Sequence, residues 1–155
     1  MAVAAHVSRV AKEYAPHGYS IMETASATVY TEAAGTVDKT ELLLVADDAD
    51  IYIESITLVA FTAVTADDTH YLTISCASSA SGGGGKVDHF TEFTTQSTGG
   101  GGGGALAART QYAKTVLLPV VASGSQLFFQ VAKATANVDT NDREIGISVR
   151  YRRKA

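Results

Sequence analysis

By the spacing of its apolar and polar side chains, the chain divides at Gly18. From Ala2 to Tyr14 the apolar residues Val3, Val7, Val10 and Tyr14 recur at intervals of four, three and four, the spacing that lines one face of a helix. Pro16 and Gly18 stop the pattern. A helix of about thirteen residues is marginal alone in water, so this N-terminal arm, residues 1–18, is expected to lie against its own domain or a neighbouring subunit.

Beyond Gly18 the period is two. Ala25, Ala27 and Val29 alternate with Thr24, Ser26, Thr28 and Tyr30, and Glu41–Val45 is a short, largely apolar run closed by Asp47, Asp48 and Asp50. Both predict strands. Within Ile51–Val64 the parity changes, because Ile51 and Ile53 share one face whereas Ile56 and Leu58 share the other. A bulge or a bend near Glu54 and Ser55 accounts for the switch.

In Thr69–Ala77, His70, Leu72, Ile74 and Cys76 oppose Thr69, Tyr71, Thr73 and Ser75, as in a half-buried antiparallel strand. Lys114–Val121 is apolar but contains Pro119, which suits a sheet edge or a strand end. The turn Ala122–Ser125 leads into Gln126–Ala132, with Leu127, Phe129 and Val131 on one face. Last, Ile145, Ile147, Val149 and Tyr151 alternate with Gly146, Ser148, Arg150 and Arg152. About eight strands without βα alternation predict an all-β fold over residues 19–155, an antiparallel β-sandwich of jelly-roll or related Greek-key type.

One stretch interrupts this order. Gly82–Gly85 and Gly99–Gly104 bracket thirteen residues that alternate like a strand or a hairpin arm, making 81–105 a glycine-flanked insertion. A phosphate-binding loop needs a hydroxyl directly after its lysine at a helix start, and Gly85-Lys86-Val87 lacks it. Lengthening a mobile loop costs little, so the glycines read as connectors that let Lys86–Thr98 move as a flap or lie across a neighbour.

Composition narrows the chemistry. At 155 residues the chain fits one domain, and a net charge of −4 with pI near 5.5 argues against a nucleic-acid partner, which calls for a clustered basic face. No run reaches the ~18–20 apolar residues of a membrane span, and no signal-peptide pattern opens the chain, so neither membrane insertion nor secretion is expected. Cys76 is the sole cysteine and shares a face with Leu72 and Ile74, which favours a small core hydrophobe over a thiolate nucleophile served by His70 or His89. His6, His17, His70 and His89 lack zinc spacing. Asp47, Asp48, Asp50, Asp67 and Asp68 lack the order of an EF-hand loop and read as turn formers. No cofactor, metal or catalytic residue is therefore expected. The C-terminal group Arg150, Arg152 and Arg153, followed by Lys154, is the one basic cluster and suits an acidic partner surface or a solvated, gatekeeping edge.

Three segments together carry a family resemblance: DIYIESITLVAFTAVTADDTHYLTISCAS, VLLPVVASGSQLFFQVAKAT and EIGISVRYRR. With an I-x-x-I-T-x-V strand at Ile53–Val59, an A-V-T-x-x-D-T-x-Y-x-T-I turn and strand at Ala63–Ile74, and at Val121–Leu127 a piece corresponding to V-x-A-G-x-x-L in which Ser123 stands at the alanine position, the region from Ile51 to Arg153 resembles the small decoration, or cement, proteins of tailed phages. The resemblance implies a non-enzymatic virion β-sandwich on the outer surface of the capsid, commonly a homotrimer, whose partner is the major capsid protein and which clamps neighbouring capsomers. It also implies an extended N-terminal arm, here Val3, Val7, Val10 and Tyr14, with Arg150, Arg152 and Arg153 as polar contacts. The alternative is a receptor- or carbohydrate-binding module of a head or tail fibre, for which Tyr71, Phe90 and Phe93 are the aromatic candidates. A cupin-like or thiol-dependent enzyme on the same fold is the third reading.

Overall fold

A computed structural model describes residues 22–31, 39–80, 85–98, 103–134 and 142–154. The arm residues Val3, Val7, Val10 and Tyr14 lie outside the described residues, as do most of the paired glycines. The described elements are all strands: β1 (Glu23–Thr31), β2 (Lys39–Val45), β3 (Ile51–Ala60), β4 (Leu72–Ala80), β5 (Val87–Asp88), β6 (Phe93–Thr94), β7 (Thr110–Lys114), β8 (Val120–Val121), β9 (Ser125–Lys133) and β10 (Arg143–Arg153).

They form two antiparallel sheets. One has the order β1-β10-β3-β7 with β8 also on β3; the other has β2-β9-β4-β5 with β6 also on β4. The pairs are nested: β1 with β10, β2 with β9, β3 with β7 and β8, and β4 with β5 and β6. A long antiparallel ribbon has rolled up on itself, and the β10–β3 and β9–β4 ladders close the roll. This is the jelly-roll solution, in which two sheets bury one face each.

Alternation decides which face is buried. Ile145, Ile147, Val149 and Tyr151 of β10 point into the core while Ser148 and Arg150 point out. The parity change in β3 is resolved as expected: the pairing runs Arg150 to Ser55 and then Tyr151 to Ile53, so Glu54 is the extra residue. Ile51, Ile53, Ile56 and Leu58 consequently all reach the core, each at most 1% exposed. A second irregularity in β2 sets Leu42 opposite Phe128 but Leu44 opposite Leu127, which leaves Leu42 outside and Leu44 inside. His70 precedes β4 instead of extending it, because the Asp67 carboxylate accepts the backbone N–H groups of Thr69 (2.7 Å) and His70 (2.6 Å) and folds them into a turn.

Candidate interaction surface

The sandwich edge formed by β5 and β6 on one sheet and by β7 and β8 on the other holds the arrangement most distinct from ordinary core packing. Lys86–Thr98 is not a flap. It pairs with β4 through β5 and β6 and buries His89, Phe90, Phe93, Thr94 and Thr95 between the sheets. Two aromatic rings and a fixed imidazole hold it, a loss of water-exposed apolar surface that a mobile lid would forgo. Where the segment leaves this edge, a side chain at Gly103 would sit 2.6 Å from the Gln96 carbonyl oxygen, and Gly104 has φ +135°. Close packing requires glycine at the first position and the backbone conformation favours it at the second.

His89 ties the edge together. Its backbone N–H donates to the Cys76 carbonyl (2.9 Å) and its own carbonyl accepts from Leu117 N–H (2.9 Å). In the ring, Nδ1 faces the Leu118 carbonyl oxygen (2.5 Å) and Nε2 faces Ser78 Oγ (2.8 Å). A carbonyl only accepts, so Nδ1 carries the hydrogen and Nε2 accepts from the Ser78 hydroxyl. Burial holds the imidazole below its ordinary pKa, against the opposing pull of the Leu118 carbonyl. The ring is a neutral structural cross-link. Nearby, the Lys114 ammonium lies 3.8 Å from the centre of the Phe93 ring, a cation–π contact that joins β7 to β6, and burial lowers its pKa.

The same bonds push apolar groups outward. The strip from Leu117 to Val120 is anchored by Leu117 N–H and the Leu118 carbonyl at His89, and by Ile53 N–H donating to the Pro119 carbonyl (2.7 Å). Its side chains are nevertheless in water: Leu117 is 52% exposed, Leu118 53% and Val120 48%. Val87, two residues before His89, is exposed as well. Three large apolar residues thus stand in water on a backbone bonded at three points, forming an exposed apolar ledge.

The C-terminal basic cluster does not act as one patch. Arg152 Nε meets Glu54 Oε1 at 3.0 Å, Arg153 Nε meets Glu23 Oε1 at 3.6 Å, and Lys154 Nζ approaches Asp50 Oδ2 at 3.7 Å. Arg153 also leans toward the Tyr151 ring. Arg150, on the outer face of β10, is exposed.

The other chemical candidates resolve into structural roles. Cys76 is fully buried, and desolvation pushes its thiol up to about 12, the opposite of a reactive thiolate. Asp50 accepts from Ser123 N–H (3.0 Å) and Asp68 from Thr98 N–H (2.8 Å). Backbone donors at Thr69 and His70 hold the Asp67 carboxyl below its usual range. Lys86 pairs with Asp88 at 3.1 Å. Among the described residues no three His, Cys, Asp or Glu side chains gather closely enough to hold a metal ion. Of the aromatics considered for sugar binding, Phe90 is 1% and Phe93 7% exposed. They are core residues because the segment carrying them folds inward; only Tyr71 keeps partial exposure.

No protein-family model matches the chain. No curated protein matches it either. Among solved structures it is similar to a chain of the acidic stable capsid structure of Helicobacter pylori bacteriophage KHP30, with a TM-score of 0.49 and 11% identity, covering 88% of this chain and 91% of that one. A chain of infectious bursal disease virus Gx strain gives a TM-score of 0.38 and 9% identity, covering 88% of this chain and 37% of that one. Jelly rolls serve viral capsids, lectins and cupins alike, so function rests on the surface.

Proposed function

We propose that this protein is a non-enzymatic virion component that attaches to the outside of a capsid, with the major capsid protein as partner, and reinforces contacts between capsomers as a homotrimer. The observation that carries the reading is the ledge at Leu117, Leu118 and Val120. Its apolar side chains stay in water although the backbone beneath them is hydrogen-bonded to the core, so little ordering cost remains to be met on docking. The resemblance of Ile51–Arg153 to phage decoration proteins supports the same role. So do the buried thiol and the locked imidazole, which leave the two most reactive side chain types of this region in structural positions. In a symmetric shell, many modest contacts add up to firm attachment.

Cosedimentation with capsids assembled without this protein tests the reading. The full chain is expected to pellet with them in a fixed ratio. A chain lacking residues 1–15 should fold normally and bind more weakly, because the apolar stripe of Val3, Val7, Val10 and Tyr14 adds anchoring. Full-length protein that stays in the supernatant at every concentration would reject the proposal.

A further inference from the structure

The outer face of the first sheet is ordered in a way that capsid attachment does not explain. The β1–β10 and β10–β3 registers place its residues in four rows across the strands. One row is Tyr30, Glu144 and Phe61, the last placed by Phe61 N–H donating to the Glu144 carbonyl at 2.8 Å. The next is Thr28, Gly146 and Val59, then Ser26, Ser148 and Thr57, and finally Thr24, Arg150 and Ser55. The first row is bulky and acidic at its centre; the last is small and basic at its centre.

We propose that this face is a self-docking surface, on which a second copy of the chain packs with β10 antiparallel to β10 about a twofold axis crossing the strand at Ile147. That axis lies between the sheets and perpendicular to the strands. It sets the first row against the last and the second against the third. Tyr30 then faces Thr24 of the second copy, Glu144 faces Arg150, and the Phe61 ring, which covers Gly146, faces Ser55 and Ser148. Large meets small at both aromatics, and each carboxylate meets a guanidinium flanked by two rings, a geometry that adds cation–π attraction to the ion pair.

Three observations favour a second copy over another partner. The charges are self-complementary, since both signs sit on one strand at equal distances from its centre, as an isologous contact demands. Among the described residues neither Glu144 nor Arg150 joins an intramolecular ion pair, whereas Arg152 beside them is held by Glu54. Tyr30 (52%), on β1, and Phe61 (45%), just past the end of β3, are exposed beside the core sheet. Phe61 also leans over Gly146, where an added Cβ would lie 2.9 Å from its ring, and walls a shallow groove of about 230 Å³ bordered by Ser26, Thr28 and Ser148. Asp142, which accepts from the Tyr30 hydroxyl at 3.0 Å, adds acidity to that end; Arg143 at the start of β10, and Arg109, whose backbone N–H donates to the Ala60 carbonyl at 2.6 Å, are cations of the same end.

Three strands about 4.8 Å apart and four rows about 6.8 Å apart give a footprint on the order of 400 Å² per copy. At about 800 Å² in total this is a weak contact, effective when copies are concentrated on an array. The proposal does not rest on capsid binding, and its test needs no capsid.

Sedimentation equilibrium of the purified full chain at low salt, up to millimolar concentration, is the measurement. The wild type should show a reversible twofold association of its smallest species, monomer or trimer, that weakens as salt is added. R150E and E144R should each weaken it by about tenfold or more, since two charge pairs per dimer become repulsive. An equimolar mixture of R150E with E144R should recover association, because both pairs are again attractive in the mixed dimer. S148W, which blocks close approach without changing charge, should abolish it. Circular dichroism checks that each exposed-site variant is folded. Wild type whose smallest species never doubles in mass, or a mixture no stronger than either variant alone, would overturn the proposal.

Discussion

Two short segments meet at one edge of the sandwich, and their fates differ. Lys86–Thr98 turns its large side chains inward, so that Phe90 and His89 are buried, while Leu117–Val120 turns its leucines outward although the two are bonded to each other through His89. Hydrophobicity alone does not distinguish them. The backbone bonds do: once Leu117 N–H and the Leu118 carbonyl are committed to His89, and Pro119 to Ile53, their side chains face away from the core. The inner segment therefore carries stability, and the outer one is free to carry contact.

The largest expected break in this contrast is Phe90→Ala. Removing a fully buried ring costs about 3–5 kcal/mol, which at this chain length lowers Tm by roughly 10 °C or more in calorimetry. A loss smaller than about 1 kcal/mol would show that the inner segment is not part of the core. His89→Leu comes next, because it strips the Leu118 carbonyl and the Ser78 hydroxyl of their partners at a cost of about 2–3 kcal/mol. It should also loosen the ledge, seen as faster hydrogen exchange at Leu117 N–H.

The pH dependence sharpens the same point. Because burial depresses the His89 pKa below the ordinary 6.5, the folded state keeps the ring neutral where the unfolded chain binds a proton. Its contribution is complete above about pH 6.5 and is lost as pH falls below that through the folded-state pKa. The stability gap between wild type and His89→Leu, from urea unfolding at pH 7.5 and pH 5, should narrow at the lower pH. A constant gap would mean that the imidazole is not held neutral by the fold.

The strands were readable in the sequence because alternation is a local signal. Even the bulge at Glu54 showed itself, since Ile51 and Ile53 cannot share a buried face with Ile56 and Leu58 unless one residue is extra. The strand character of the glycine-flanked segment was legible, but its expected mobility was misread for a physical reason: its burial depends on Ser78, Leu118 and Lys114, none of them within the segment, and its paired strands are two residues long. Consecutive burial of His89 and Phe90 also breaks alternation. The signal was nonetheless there, as a mobile flap seldom carries two phenylalanines. The basic C-terminal cluster looked like one patch because sequence shows Arg152 and Arg153 side by side but not Glu54 and Glu23, which neutralise them from neighbouring strands.

The division of labour between the buried and the exposed segment is tested most directly by the double substitution Leu117→Asp and Leu118→Asp, with thermal unfolding and capsid cosedimentation measured on the same preparation. With both side chains half in water, Tm should change by no more than about 2–4 °C, while the fraction bound to capsids falls at least tenfold. Unchanged attachment, or a collapse of Tm comparable to that of Phe90→Ala, would contradict the assignment of docking to the ledge.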